Sequence, residues 1–190
     1  MSASSIQFPS QVLADWVFAY GSLIWNPEFD FEHAERALLR GYHRAFCISS
    51  TRYRGTPEQP GVVLGLDRGG SCVGLAYRLR VGTRSDALDR LFEREMPRQG
   101  QQVYQPRIVR LDLASGVQVS ALAFIADRRS PAYRCLTEQE LLQRLACCVG
   151  ARGPNIDYAI NTCRALESCG FVDPKLRRIT RLLALSPARH

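Results

Sequence analysis

Apolar residues run in short blocks through the first two-thirds of the chain and recur at helical spacing mainly in the last third, with one helical stretch set among the blocks. That order constrains the fold most, because regular alternation of strand and helix gives a parallel α/β sheet, whereas strands followed by helices give an α+β fold. The first block, Asp15-Trp-Val-Phe-Ala-Tyr20, ends at Gly21-Ser22, the pattern of a buried strand entering a tight loop. A turn at Gly41 then precedes a second strand, His43 to Ser49, and Gly61 to Leu66 supplies a third. Asp67-Arg-Gly-Gly70 carries turn chemistry before a fourth strand, Cys72 to Leu79, so the third and fourth are expected to form a hairpin. Tyr104 to Leu113 and Gln118 to Ile125 read as two more strands around an Ala114-Ser-Gly116 turn.

Between them, Ala87, Leu88, Leu91 and Phe92 fall on one helical face over Thr83 to Glu95, with Thr83 or Ser85 as N-cap and Pro97 as the stop. Thr137 with Glu140 forms a capping-box pattern ahead of Leu141, Leu142, Leu145 and Ala146, and Asn155 to Cys169 and Pro174 to Leu185 read as two further helices. No repeat, linker or low-complexity segment divides the 190 residues, so one domain, 1–190, is expected, with 1–14 as a polar N-terminal lead.

Composition narrows the function classes. The net charge of +7 is carried by arginine, since Lys175 is the only lysine; codon bias explains this most plainly, and an electropositive surface for a small anion is the alternative. The basic residues are scattered and lack an aromatic ladder, which disfavours nucleic acid. Seven cysteines without a C-x-x-C pair suit neither a disulfide framework nor a zinc site, and they are expected to be reduced thiols, with Cys147 and Cys148 packing on an apolar helix face. Neither a signal peptide nor a run long enough to span a bilayer is visible, so a cytoplasmic protein without membrane partners is expected. The basic segment Lys175 to Leu183, short for a membrane-surface helix, is expected to pack its leucines on the sheet formed by the strands, with its charges in solvent.

Phosphate-loop, dinucleotide and zinc-protease patterns are all missing from the sequence, and Leu23-Ile24 stands where a nucleophile elbow needs glycine. Trp16-Val-Phe-Ala-Tyr-Gly-Ser-Leu-Ile-Trp-Asn-Pro27 remains. A strand ending in Gly-Ser leaves backbone N–H groups unpaired at its mouth, a nest for a carboxylate, with Tyr20 and Trp25 available as walls. The plain alternative is an aromatic strand followed by a turn.

These residues resemble the glutathione-cleaving ChaC family, whose hallmark is a Tyr-Gly-Ser-Leu loop after the first strand. Arg54-Gly-Thr-Pro-Glu-Gln-Pro-Gly61 resembles its second motif, Gly74-Leu-Ala-Tyr-Arg-Leu79 its fourth-strand segment, Arg94-Glu95-Met96 with Tyr104 its catalytic stretch, and Gly150-Ala-Arg-Gly153-Pro-Asn155 with Tyr158 its late glycine-rich element. The resemblance covers about Trp16 to Cys169 and implies a γ-glutamylcyclotransferase-like small mixed β-barrel with surrounding helices. It also implies cleavage of glutathione to 5-oxoproline and cysteinylglycine without cofactor or metal, by a monomer or weak homo-oligomer. Glu95 is then the catalytic proton carrier, and Ala19, Tyr20, Gly21, Ser22, Leu23, Ile24, Arg54, Tyr104 and Tyr158 are the expected substrate contacts. The Tyr20 to Ile24 amides and the Ser22 hydroxyl would take the substrate's α-carboxylate, while Arg54 either reaches a second carboxylate or braces its loop. Burial would raise the pKa of Glu95, and Arg94 would oppose that if it pointed inward. Cyclisation of other γ-glutamyl amino acids or amines, and a non-catalytic binding or regulatory module of the same fold, stay open.

Overall fold

The computed structural model describes residues 14–96 and 102–185. Residues 1–13 of the N-terminal lead, Pro97 and the Gly100-Gln101 segment ahead of Tyr104 lie outside the described residues, while Ala14, the last residue of the lead, is buried in the core. In chain order the elements are β1 (Trp16–Ala19), a 3-10 turn at Ser22–Ile24, β2 (Phe31–Ser50), β3 (Gly61–Leu79), α1 (Arg84–Glu95), β4 (Tyr104–Leu113), β5 (Gln118–Ala126), α2 (Glu138–Cys147), the two-residue strands β6 (Val149–Gly150) and β7 (Gly153–Pro154), α3 (Asn155–Ser168) and α4 (Pro174–Leu185).

The five longer strands close into a barrel in the order β1-β3-β2-β4-β5, with β5 returning to β1 in parallel through Trp16↔Ala121 and Val17↔Leu122. Period-two alternation explains the interior. Phe18 and Tyr20, Ala37 and Leu39, Leu64 and Leu66, Val109 and Leu111, and Ala121 and Ala123 step two residues at a time and, with Cys72 and Ala76 on either side of Gly74, pack into one buried cluster. Their neighbours on the other face, among them Val17, Ala19, Tyr77, Leu79, Leu122 and Phe124, form a second cluster that includes Leu91 and Phe92 of α1 and Leu166 of α3. Gly74 permits the closest strand contact, since a Cβ there would lie 2.2 Å from the Ala19 carbonyl oxygen.

Two expectations change. The hairpin turn is not at Asp67-Gly70: β3 runs unbroken through it, and β2 starts at Phe31 and passes through Gly41 without turning. Between the pairs Arg40↔Ser71 and Tyr42↔Arg68 the register shifts, and Gly41, Gly69 and Gly70 all take positive φ. These glycines make a bulge in both strands at one level, bending a long ribbon whose connection is 51–60. The cap of α1 also differs: Thr83 occupies the N-cap position without a side-chain cap, and its buried hydroxyl has no partner among the described residues. The Thr137–Glu140 capping box forms at α2 as expected.

Helices α2, α3 and α4 share a third cluster with Val62 of β3, through Leu141, Leu145, Ala159, Ile179 and Leu183, so α4 packs its apolar side chains largely on other helices. Of the paired cysteines only Cys148 is buried; Cys147 is exposed because α2 ends there and turns its side chain outward. Asn155, fully buried at the start of α3, acts as a substitute strand residue: its Oδ1 accepts from the Val62 N–H at 2.7 Å and its Nδ2 donates to the Val62 carbonyl at 2.8 Å. Replacing Asn155 by Ala strands both Val62 groups away from water. Urea unfolding should show a loss of about 2–4 kcal/mol with unchanged m; a loss under 0.5 kcal/mol would show that the helix is held to the barrel by other means.

Candidate active site

Antiparallel pairing of β1 with β3, β2 with β3 and β2 with β4 brings the end of β1, the end of β2, the start of β3 and the start of β4 to one end of the barrel. A cavity of about 590 Å³ opens there, bordered by Ser22, Trp25, Asn26, Glu28, the 48–54 stretch, Arg94, Glu95, Tyr104, Arg152 and Tyr158. Its size lies in the ~300–1,000 Å³ range of small-molecule sites.

The loop after β1 contributes less surface than expected. Tyr20 turns into the barrel and donates its hydroxyl to the Phe124 carbonyl at 2.9 Å, so it does not wall the cavity. Ala19, Leu23 and Ile24 are core residues, and Gly21 passes close under Tyr158, where a Cβ would lie 3.3 Å from the phenolic oxygen. The 3-10 turn uses the Ile24 N–H on the Gly21 carbonyl at 3.0 Å and the Asn26 N–H on the Ser22 carbonyl at 2.8 Å. The Ile24 N–H is therefore spent inside the turn and lost to the amide cradle expected from Tyr20 to Ile24, while the N–H groups of Ser22 and Leu23 meet no acceptor among the described residues because a helical turn leaves its first donors free. Of the loop side chains from Ala19 to Ile24, Ser22 borders the cavity.

Arg94 points inward with its side chain 8% exposed. It donates to the Asn26 carbonyl at 2.7 Å and to Ser22 Oγ at 2.9 Å, and it pairs with Glu28 at 3.1 Å and Glu95 at 3.2 Å. Because Ser22 Oγ accepts from Arg94, its own hydrogen is left for a ligand. Glu28 carries φ +58, a left-handed conformation costly for a residue with a Cβ, and its carboxylate also accepts from Asn26 Nδ2 at 2.7 Å. Strain at this point accompanies a contact to the central arginine.

Glu95 closes α1 at the cavity wall. Burial pushes its carboxyl above the ordinary glutamate range, outweighing the cations of Arg94 and Arg152, which favour the charged form; Glu28 adds to the rise. The inward arginine thus limits the shift without reversing it. Tyr104 and Tyr158 frame the carboxyl and both engage one residue of β3: Tyr104 donates to the Leu64 carbonyl at 2.8 Å, and Tyr158 accepts from the Leu64 N–H at 3.2 Å. Burial raises both phenols, Tyr158 to about 12, so they stay protonated and the Tyr158 hydrogen is available to the cavity.

Arg54 is committed to architecture. Its guanidinium donates to the Pro154 carbonyl at 3.0 Å and lies 5.6 Å from the Tyr158 ring centroid, and its backbone N–H donates to Ser50 Oγ. The loop it belongs to is fastened to the β6–β7 hairpin main chain to main chain, by Ala151 N–H to the Arg52 carbonyl at 2.8 Å and Arg152 N–H to the Tyr53 carbonyl at 2.9 Å. Gly150 allows that approach: a Cβ would sit 2.5 Å from the Arg54 and Gly55 nitrogens. Sequence reasoning missed Glu28, Asn155, Arg52 and Arg152. Arg152 and Asn155 carried a signal, their place inside the glycine-rich element. No cluster of three or more metal-ligating side chains occurs among the described residues.

A family model described as ChaC-like protein matches residues 15–185. The chain is 40% identical over 162 residues to the glutathione-specific γ-glutamylcyclotransferase of Escherichia coli strain K12, covering 85% of this chain and 69% of that one. It is 31% identical to glutathione-specific γ-glutamylcyclotransferase 1 of Homo sapiens, covering 87% and 77% respectively. A crystal structure of a γ-glutamyl cyclotransferase specific to glutathione from yeast superposes with TM-score 0.83 at 21% identity, covering 92% of this chain and 97% of that one, which shows the shared fold.

The charge arrangement makes a measurable claim. With carbon-13 in glutamate side chains, the Glu95 carboxyl should titrate above the other glutamates by NMR, and Arg94→Met should move its midpoint higher still, since removing a cation disfavours the carboxylate. A downward movement would contradict the assigned contact.

Proposed function

The chain belongs to the ChaC-like family, and from that membership together with the cavity's geometry we propose that it is a glutathione-specific γ-glutamylcyclotransferase, a lyase releasing 5-oxoproline and cysteinylglycine. The observation that supports this reading most directly is one buried carboxyl of raised pKa, Glu95, tied through Arg94 to a serine hydroxyl beside two free backbone donors.

The reaction needs little else. A γ-glutamyl amide carries its own nucleophile: the α-amine attacks the γ-carbonyl carbon, closing a five-membered ring, and the bond from that carbon to the cysteinyl nitrogen breaks. Holding the folded conformer converts this into a near-attack geometry, an effect worth up to ~7–11 kcal/mol of barrier in favourable intramolecular cases. The α-carboxylate rests on the Ser22 and Leu23 N–H groups and the Ser22 hydroxyl. Glu95 takes the proton that the α-ammonium must lose and delivers one to the departing amine, so that protons balance over the turnover. Its raised pKa suits a group that must both accept and give. Tyr158, and Tyr104 through the Leu64 peptide, hold the wall opposite, while Arg54 acts by fixing the rim. Since nucleophile and leaving group belong to one molecule and no oxidation state changes, the chemistry calls for neither metal nor redox cofactor. The setting fits the cytoplasm, where glutathione is abundant and thiols stay reduced.

Glu95→Gln keeps size and hydrogen bonding but cannot carry the proton. Release of 5-oxoproline from glutathione should fall by about 10²–10⁴-fold with the circular-dichroism spectrum unchanged; full activity would reject the role. The acid limb of kcat/KM should lie above the pH at which an ordinary glutamate titrates, since Glu95 must be ionised to take the first proton. Turnover of γ-glutamyl-alanine with none of glutathione would reject the substrate.

A further inference from the structure

The far side of the cavity holds a cation pair that the reacting end does not use. Arg52 and Arg152 both border the cavity, and both guanidiniums lie over the Tyr53 ring, at 5.3 and 4.4 Å from its centroid. Two cations held near one ring repel each other. The negative face of the tyrosine ring offsets part of that cost, and the main-chain bonds between the Arg52-Tyr53 stretch and 151–152 hold both residues in place before any ligand arrives.

The carboxylates within reach do not neutralise the pair. Arg152 approaches Glu28 Oε1 only to 3.9 Å, beyond a hydrogen bond, and Glu28 is already engaged by Arg94 and Asn26. Arg52 has no carboxylate within ion-pair distance among the described residues. Around the cavity four arginines face two glutamates, Glu28 and Glu95, and Arg54 and Arg94 are bound to protein carbonyls. Arg54, which has no carboxylate partner either, is held by the Pro154 carbonyl, whereas the guanidiniums of Arg52 and Arg152 make no hydrogen bond among the described residues.

Building on the cyclotransferase reading, we propose that Arg52, Tyr53 and Arg152 form a subsite for the carboxylate at the far end of the substrate, the glycyl carboxylate of glutathione. A γ-glutamyl tripeptide is held at both ends: its α-carboxylate at Ser22 and its terminal carboxylate at the paired guanidiniums, with the scissile amide between them beside Glu95. The planar forks present several donors to one carboxylate. Recognition at this subsite falls on the part of the substrate that departs, so it separates peptides from γ-glutamyl amines, which lack a carboxylate there.

Glutathione and glutathione amidated at its glycyl carboxyl, compared as substrates, test this. The unaltered protein should show kcat/KM for glutathione about 10- to 100-fold above that for the amide, and in Arg52→Gln/Arg152→Gln that ratio should fall toward one. Arg152 also acts on the charge of Glu95, and the ratio cancels that effect because it is common to both substrates. Equal turnover of the two by the unaltered protein, or an undiminished ratio in the double variant, would overturn the subsite while 5-oxoproline release left the cyclotransferase reading intact. Absence of 5-oxoproline from both substrates would remove that reading and the subsite with it.

Discussion

The guanidinium of Arg94 joins the end of α1 to the loop that leaves β1, and the cavity takes its form from that junction. One side chain, almost wholly shielded from water, reaches a serine hydroxyl, a main-chain carbonyl and two carboxylates. A buried arginine without such partners would be strongly unfavourable, so each partner is under pressure to stay where it is. Glu28 keeps a backbone conformation that it would not choose alone, and Ser22 has its lone pair occupied and its hydrogen left over.

Glu95 is the element that this frame supports least in thermodynamic terms. Folding raises its pKa, so its contribution to stability is fully present below the pKa of an ordinary glutamate and is lost as pH rises through the folded value. The ionised form is therefore the less stable one in the fold, and the burial that makes it so is the source of the raised proton affinity. Arg94 and Arg152 oppose the rise, since their cations favour the carboxylate. The tyrosines nearby add hydroxyls without adding charge.

Much of the architecture was legible in the pattern of residues. β1, β4, β5 and the four helices lie where apolar spacing and caps put them, because those signals are local. The long ribbon was misread for a physical reason: Gly41 and Gly69-Gly70 need positive φ, and a bulge and a hairpin turn make the same demand of a sequence. Closure through the parallel contact of β5 with β1 joins residues about a hundred positions apart, and no window along the chain carries it. In the site, Ser22 and Glu95 stood out through their motifs. Tyr20 belonged to the same motif but proved to be a barrel residue, since alternation along β1 sends it inward with Phe18. Arg94 was noticed as a neighbour of Glu95, though nothing in its spacing told that it would turn toward the loop.

The glycine contacts at the rim have a further consequence. Gly55, Gly61 and Gly150 let three stretches of main chain lie directly against one another, each at distances that leave no room for a Cβ. The rim is thereby assembled from backbone, and the side chains of Arg52, Tyr53 and Arg152 stand on it as attachments. Such a mounting is modular: side chains at those three positions can be exchanged while the loop geometry and the Arg94–Glu95 end remain as they are.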